Sequence, residues 1–390
     1  MHLNKNEKHN YFEGLRGILA LIVFAHHFIL LFYSSVYYGS LHFSDYINNP
    51  YSSNLLLANT PLNLFMNGNW AVCMFFTLSG YVLTIKYFKT SKQDVLRNSA
   101  LKRYFRLAIP IFGSALLIFV LHKVGLFKDV SYPRTHSDFQ FGKDLFTTDL
   151  DLPSFLKTTF ISIPLNGNNI YAPVYWTMQH EFLGAIFILA LLLVIHKVEK
   201  KNLVLILLIV VLLIAKKYYL TAFLFGCFLS FNASLISIIK YKKTLLLFSL
   251  LLGTYLIGIP NIEEKALAKT IYSPFAGYPN EIVILFHVLS SALILLFISQ
   301  TNFIQKALSV KPLVWLGKIS FSLYLIHLPL IFIIGSYFLS STHGSLNPYL
   351  LFIVLLIVTT SSSFFFYLMF DKNAINFSNK LISLLEKKEN

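Results

Sequence analysis

The sequence predicts an all-α fold, a polytopic membrane helix bundle of about ten transmembrane helices with both termini cytoplasmic, and three observations lead there. Of the 390 residues, 56% are hydrophobic and 13% charged, and the mean hydropathy is +0.65; such values belong to chains dissolved in lipid rather than to soluble domains. Apolar windows of roughly 20 residues, the length that crosses a bilayer as a helix, recur along the whole chain. Basic residues gather between alternate windows. With the amino terminus inside, cytoplasmic segments hold 23 of the 32 Lys and Arg and outer segments hold nine, the bias that sets orientation in the membrane.

The first window, 17–38, is too long for a signal-peptide core and lacks a small-residue cleavage site, so it reads as a retained span. Windows 69–86 and 104–122 follow, with seven basic residues between Lys86 and Arg106 marking the inner side. Windows 173–195, 203–215, 218–239, 244–260, 281–299, 313–335 and 349–370 complete the set, and 203–215 is the shortest. The polar connections Gly39–Gly68 and His122–Tyr171 are long enough to read as binding loops or lids. Residues 1–371 then form one transmembrane domain and 372–390 a cytoplasmic tail. In that tail Leu381, Ile382, Leu384 and Leu385 alternate with polar residues, as in an amphipathic helix lying on the inner surface.

The formal charge of +15 does not point to nucleic acid, because the basic residues lie in short clusters between apolar windows and no nucleic-acid motif accompanies them. Their expected partners are membrane lipids, through anionic headgroups. Cys73 and Cys227 stand alone in apolar surroundings without metal-ligand spacing, so both read as small buried hydrophobes, and no metal site or disulfide framework is expected.

Polar groups inside the windows are the candidates for chemistry, since lipid penalises them unless they are used. Glu13 and Arg16 open the first window, and His26 and His27 lie in its second half. In a helix His27 falls about three turns after Arg16 on nearly the same face, roughly 16 Å along the axis, and His26 points about 80° away. In the second window Ser79 and Gly80 lie near mid-membrane, where Gly80 permits close helix approach and Ser79 can bond across helices. Arg103 and Arg106, three apart, share a face at the inner end of the third window. Membrane anchoring is one reading of that pair, and a clamp for phosphate oxygens is the other. The fourth window opens with Trp176 at interface depth, and Glu181 follows about two turns inward. A carboxylate there either orients a substrate hydroxyl or pairs with a histidine. His180 points elsewhere. In the ninth window Ser320, Tyr324 and His327 share a face and form a polar seam. His287, without such company, reads as a packed core histidine.

Together GLRG with a histidine eleven residues after its arginine, FFTLSGY, RYFRLAIP, YWTMQHE and LGKISFSLYLIH occur in an order that resembles acyltransferase family 3, the integral-membrane O-acyltransferases that modify surface carbohydrates. The resemblance runs from about Tyr11 to Asp371. It implies a ten-span enzyme, in a bacterial plasma (inner) membrane, that takes an acyl group from acetyl-CoA and places it on a hydroxyl of a surface polysaccharide or its lipid-linked precursor. By position, Arg16 and His27 match the family's arginine and histidine, and Arg103 and Arg106 its paired arginines. Glu13 stands where many members have Asp, and Phe370–Asn373 replaces a common Glu-x-Pro ending.

The chemistry expected is attack of a sugar hydroxyl on a thioester carbonyl. His27 then acts as general base, Arg16 or a nearby donor stabilises the developing negative charge, and Arg103 and Arg106 hold the coenzyme A phosphates. Direct transfer and relay through a covalent intermediate both fit the sequence, which leaves acceptor, acyl chain and oligomeric state open. The competing class is a glycan or lipid transporter or flippase that uses the intramembrane His and Arg as a relay. Against it, no inverted repeat is visible.

Overall fold

The structure, a computed structural model, describes residues 10–33, 60–127, 151–259, 271–275, 278–342 and 346–389. Residues 39–59 and 128–150, parts of the two expected binding loops, lie outside these. Among the described residues every regular element is helical. The main helices are α1 (Asn10–Phe32), α2 (Gly68–Thr90), α3 (Gln93–Lys123), α4 (Trp176–Val194), α5 (Lys201–Ile214), α6 (Tyr218–Phe231), α7 (Lys242–Ile257), α8 (Asn280–Gln300), α9 (Asn302–Leu308), α10 (Lys311–Lys318), α11 (Ser320–Leu330), α12 (Pro348–Phe366) and α13 (Lys372–Glu389).

Among the described residues seven helical stretches are long and apolar enough to cross a membrane, and they mark an integral membrane protein. All ten apolar windows overlap a helix, but three of those helices are short. α5 and α6 have 14 residues each, about 21 Å of helix against a hydrocarbon core of about 30 Å. α7 has 16 and opens on two lysines.

Several boundaries differ from the sequence expectation. α1 begins at Asn10 rather than Gly17, so Glu13 and Arg16 lie within the helix. α3 begins at Gln93, placing Arg103 well inside a 31-residue helix instead of at its start. The window 313–335 is divided at Ile319, where α10 ends and α11 begins. α11 carries Pro329, which removes one backbone donor, and it continues through a π-turn at Ile331–Gly335 into a short helix, Ser336–Ser341. α12 starts cleanly, with Asn347 capping the amides of Tyr349 and Leu350 and Pro348 in the first turn, where its missing N–H costs nothing.

The chain divides into two compact units. One comprises Met1–His26, Ser35–Arg97 and Gly184–Lys318, the other His27–Ser34, Asn98–Leu183 and Ile319–Asn390.

In the first unit α2 and α6 cross at reciprocal glycines. Gly80 lies against the backbone of Phe223, and Gly226 against the backbone of Thr77. Without a hydrophobic drive between helices in lipid, such small residues let backbones approach and gain dispersion. Phe76 stacks on Phe223 beside the crossing, with ring centroids 5.2 Å apart. Thr77 makes a bond across helices, 2.6 Å to Ser291 of α8. Leu256, Ile259, Tyr272 and Val283 form the apolar cluster where α7 meets α8.

In the second unit Gly113 of α3 makes room for the ring of Phe370, and Gly335 lies against Phe32. Phe112 stacks on Phe160 at 5.3 Å. The expected tail helix exists as α13, and one side of it packs on protein, while Leu384 and Leu385 stay exposed. Ala374, Ser378 and Ile382 are buried, Phe377 packs on Phe105, and Lys102 and Asn98 of α3 bond to Asn379 and Glu386.

Candidate active site

The glycines of GLRG belong to packing. A Cβ on Gly14 would run into the backbone carbonyl of Leu308, and one on Gly17 would crowd Leu313 and Gly317; Gly317 itself lies against the backbone of Glu13. Between them Arg16 Nη1 reaches Glu13 Oε1 at 2.6 Å, with side-chain exposures of 28% and 34%. Glu13 also sits in the first turn of α1, where the helix dipole favours a carboxylate.

Further along α1 the 100° step between neighbours separates the two histidines. His26 turns to the segment before α2, its Nδ1 3.1 Å from the carbonyl of Met66 and its ring against Gly68. His27 turns to α11. Its Nδ1 stands 3.0 Å from Nε2 of His327, with ring centroids 4.9 Å apart. His27 is half-buried, and His327 is 1% exposed. Nδ1 of His327 is 3.0 Å from the carbonyl of Leu323 and 2.8 Å from that of Tyr324.

A polar seam continues from there within the same unit. The ring of Tyr324 lies 5.9 Å from that of His327. The Tyr324 hydroxyl is 2.9 Å from Thr177 Oγ1 and donates to the carbonyl of Val174 at 3.3 Å. Ser114 joins Tyr175 at 2.7 Å and donates to the carbonyl of Leu325 at 2.9 Å, tying α3, the start of α4 and α11 together. One turn after Thr177, Glu181 forms a salt bridge with Arg103, the side chains being 17% and 11% exposed. Glu181 therefore pairs with an arginine. Nε of Arg103 is buried without a hydrogen-bond partner among the described residues. Arg106, three residues on, is exposed, so the two guanidiniums occupy different surroundings.

Trp176 opens α4, and its carbonyl meets His180 Nδ1 at 3.2 Å. Ser320 is buried at the start of α11. Ser79 is half-buried on α2 in the first unit. Among the described residues no group of three or more His, Cys, Asp or Glu is placed to hold a metal ion.

The first unit holds a polar cluster that sequence reasoning did not find. His287, fully buried on α8, accepts at Nδ1 from Asn69 Nδ2 at 2.7 Å, while its Nε2 lies 2.9 Å from the carbonyl of Ile259 and 3.0 Å from Asn67 Nδ2. Tyr219 donates to Asn69 Oδ1 at 3.0 Å, and Asn67 donates to the carbonyl of Ile257 at 2.7 Å. Asn67 also caps α2 through Trp70 N. The available signal was the Asn-Gly-Asn run at the head of an otherwise apolar window.

The sequence profile of the acyltransferase 3 (Acyl_transf_3) family, described as an acyltransferase domain, matches residues 9–368. Two curated relatives are named acyltransferases. The protein named acyltransferase clz18, of Cochliobolus lunatus, is 31% identical over 140 residues. Acyltransferase R4, of Phoma sp. (strain ATCC 20986 / MF5453), is 30% identical over 148 residues. Each match covers 30% of this chain and 30% of the relative. No solved structure matches.

Proposed function

The chain belongs to the acyltransferase 3 family, and from that premise we propose that it is a membrane O-acyltransferase. In this reading it moves an acetyl group from cytoplasmic acetyl-CoA to a hydroxyl of a cell-surface polysaccharide or its lipid-linked precursor. The observation that carries the reading is the contact between His27 and His327 inside an apolar bundle, a placement that is costly unless it serves a reaction.

His27 takes the proton of the acceptor hydroxyl, which is a weak nucleophile until that proton is removed. The oxygen attacks the thioester carbonyl, the carbon–sulfur bond breaks, and the departing thiolate recovers the proton from His27. Transfer is direct, the pantetheine arm reaching into the bundle from the cytoplasmic side. Arg103 and Arg106 hold the donor's phosphates; the unpartnered Nε of Arg103 supports this, and Glu181 keeps that guanidinium in place. Arg16 lies about 16 Å from His27 along α1. Paired with Glu13, it is too far to touch the developing oxyanion, and a nearer donor makes that contact. Trp176, Ser320 and Tyr324 shape the polar seam that receives the acceptor.

Ten spans with both termini in the cytoplasm put the Lys- and Arg-rich segments on the donor's side, and a bacterial plasma membrane is the setting in this proposal. The test is binding of acetyl-CoA to the purified full chain in detergent. Binding that weakens in Arg106→Ala and persists in His27→Ala supports the assignment. A folded protein that does not bind acetyl-CoA contradicts it and points to a glycan transporter.

A further inference from the structure

We propose that His327 is a positioning residue: it holds His27 as the Nδ1–H tautomer, so that the lone pair offered to the acceptor hydroxyl is the one on Nε2 of His27. The inference rests on the reading of His27 as general base and adds which nitrogen acts and what fixes it.

The argument starts from the backbone. Nδ1 of His327 faces the carbonyl oxygens of Leu323 and Tyr324, and a carbonyl only accepts. Nδ1 of His327 is therefore the protonated nitrogen, and in a neutral imidazole the other nitrogen then carries the lone pair. That nitrogen, Nε2, lies 3.0 Å from Nδ1 of His27, so the proton between the rings belongs to His27. One nitrogen of His27 is then a donor and the other, Nε2, an acceptor.

The direction of the pair is thus set by two peptide carbonyls of α11 and cannot be reversed without breaking their bonds. His327 cannot offer a lone pair to a substrate, because Nε2 is engaged by His27 and Nδ1 is protonated. When His27 Nε2 takes the hydroxyl proton, its Nδ1–H becomes a charge-assisted donor to His327, which stabilises the imidazolium. The proton leaves from the same Nε2 to the coenzyme A thiolate, and His327 keeps its own proton throughout. Tyr324, the titratable neighbour in the seam, is engaged by Thr177 and by the carbonyl of Val174 and leaves this pairing undisturbed.

The experiment compares His327→Gln and His327→Leu with wild type and His27→Ala, measuring coenzyme A thiol released from acetyl-CoA by the full chain in detergent, with water as acceptor. Acetyl-CoA affinity, thermal midpoint and the pH profile of kcat are recorded alongside. A glutamine side-chain oxygen accepts from His27 Nδ1–H and does not titrate, so His327→Gln should keep at least about a tenth of kcat, whereas His327→Leu should lose about a hundredfold or more. KM for acetyl-CoA stays unchanged in both, and His327→Gln keeps the acid limb of the wild-type profile. A folded, donor-binding His327→Gln that is as inactive as His27→Ala overturns the proposal, because His327 would then be moving protons itself. So does a His327→Leu variant with wild-type kcat. If the leucine variant does not fold, the glutamine variant decides alone. Activity retained in His27→Ala overturns the base assignment itself, a failure distinct from inactivity of His327→Gln.

Discussion

Arg103 and Glu181 form a salt bridge whose two side chains are 11% and 17% exposed, joining α3 to α4 across 78 residues of sequence. Removing one member of a pair this dry leaves the other charge uncompensated. Glu181→Ala should destabilise the chain by about 3 kcal/mol. The double variant Arg103→Ala/Glu181→Ala should recover part of that, because no orphan charge remains. A thermal-unfolding double-mutant cycle checks this, and additive losses contradict the pairing. Acetyl-CoA affinity separates the two roles further: it should fall most in the variants lacking Arg103.

The reciprocal crossing of α2 and α6 gives a second prediction. A methyl group on Gly80 or Gly226 meets the backbone of the opposite helix, which cannot swing aside as a side chain can. Gly80→Ala and Gly226→Ala should each cost about 1–3 kcal/mol through overpacking. The fraction of folded protein recovered in detergent and its thermal midpoint report the effect. A variant as stable as wild type shows that the helices can separate without loss.

His287 supplies a prediction that keeps structure apart from catalysis. Its ring accepts from Asn69 and bonds the carbonyl of Ile259. His287→Ala should therefore leave buried polar groups unpaired, at about 1–3 kcal/mol. At a temperature where the variant remains folded, acetyl-CoA binding should be retained. Loss of binding without loss of stability would move this cluster into the donor site.

α13 predicts a stabilising role for the last segment. Ile382 of this helix is 4% exposed, so Ile382→Ala should cost about 2 kcal/mol or more. It should also raise the rate at which protease removes the segment. Equal cleavage rates in variant and wild type contradict the packing.

Much of this was legible in the sequence, and what was not has physical causes. Helix periodicity alone separates His26 from His27, because a 100° step is fixed by backbone geometry; the structure sends them to different neighbours accordingly. Periodicity likewise put Tyr324 and His327 on one face. Partners on other helices were out of reach. Hydropathy windows find apolar runs rather than helix ends, so Arg103 was read at the start of a span, while α3 begins ten residues earlier and Arg103 pairs with Glu181. His287 looked solitary because its partners, Asn67 and Asn69, belong to another helix start. The tail's amphipathic pattern was visible, but a pattern does not say whether lipid or protein covers the apolar face. Here α3 covers part of it.

The most direct test of the central claim is release of coenzyme A from acetyl-CoA by the purified full chain, wild type beside His27→Ala, with donor binding measured on the same samples. The account predicts turnover in the wild type, none above background in His27→Ala, and equal donor affinity in the two. Turnover that survives in His27→Ala contradicts it.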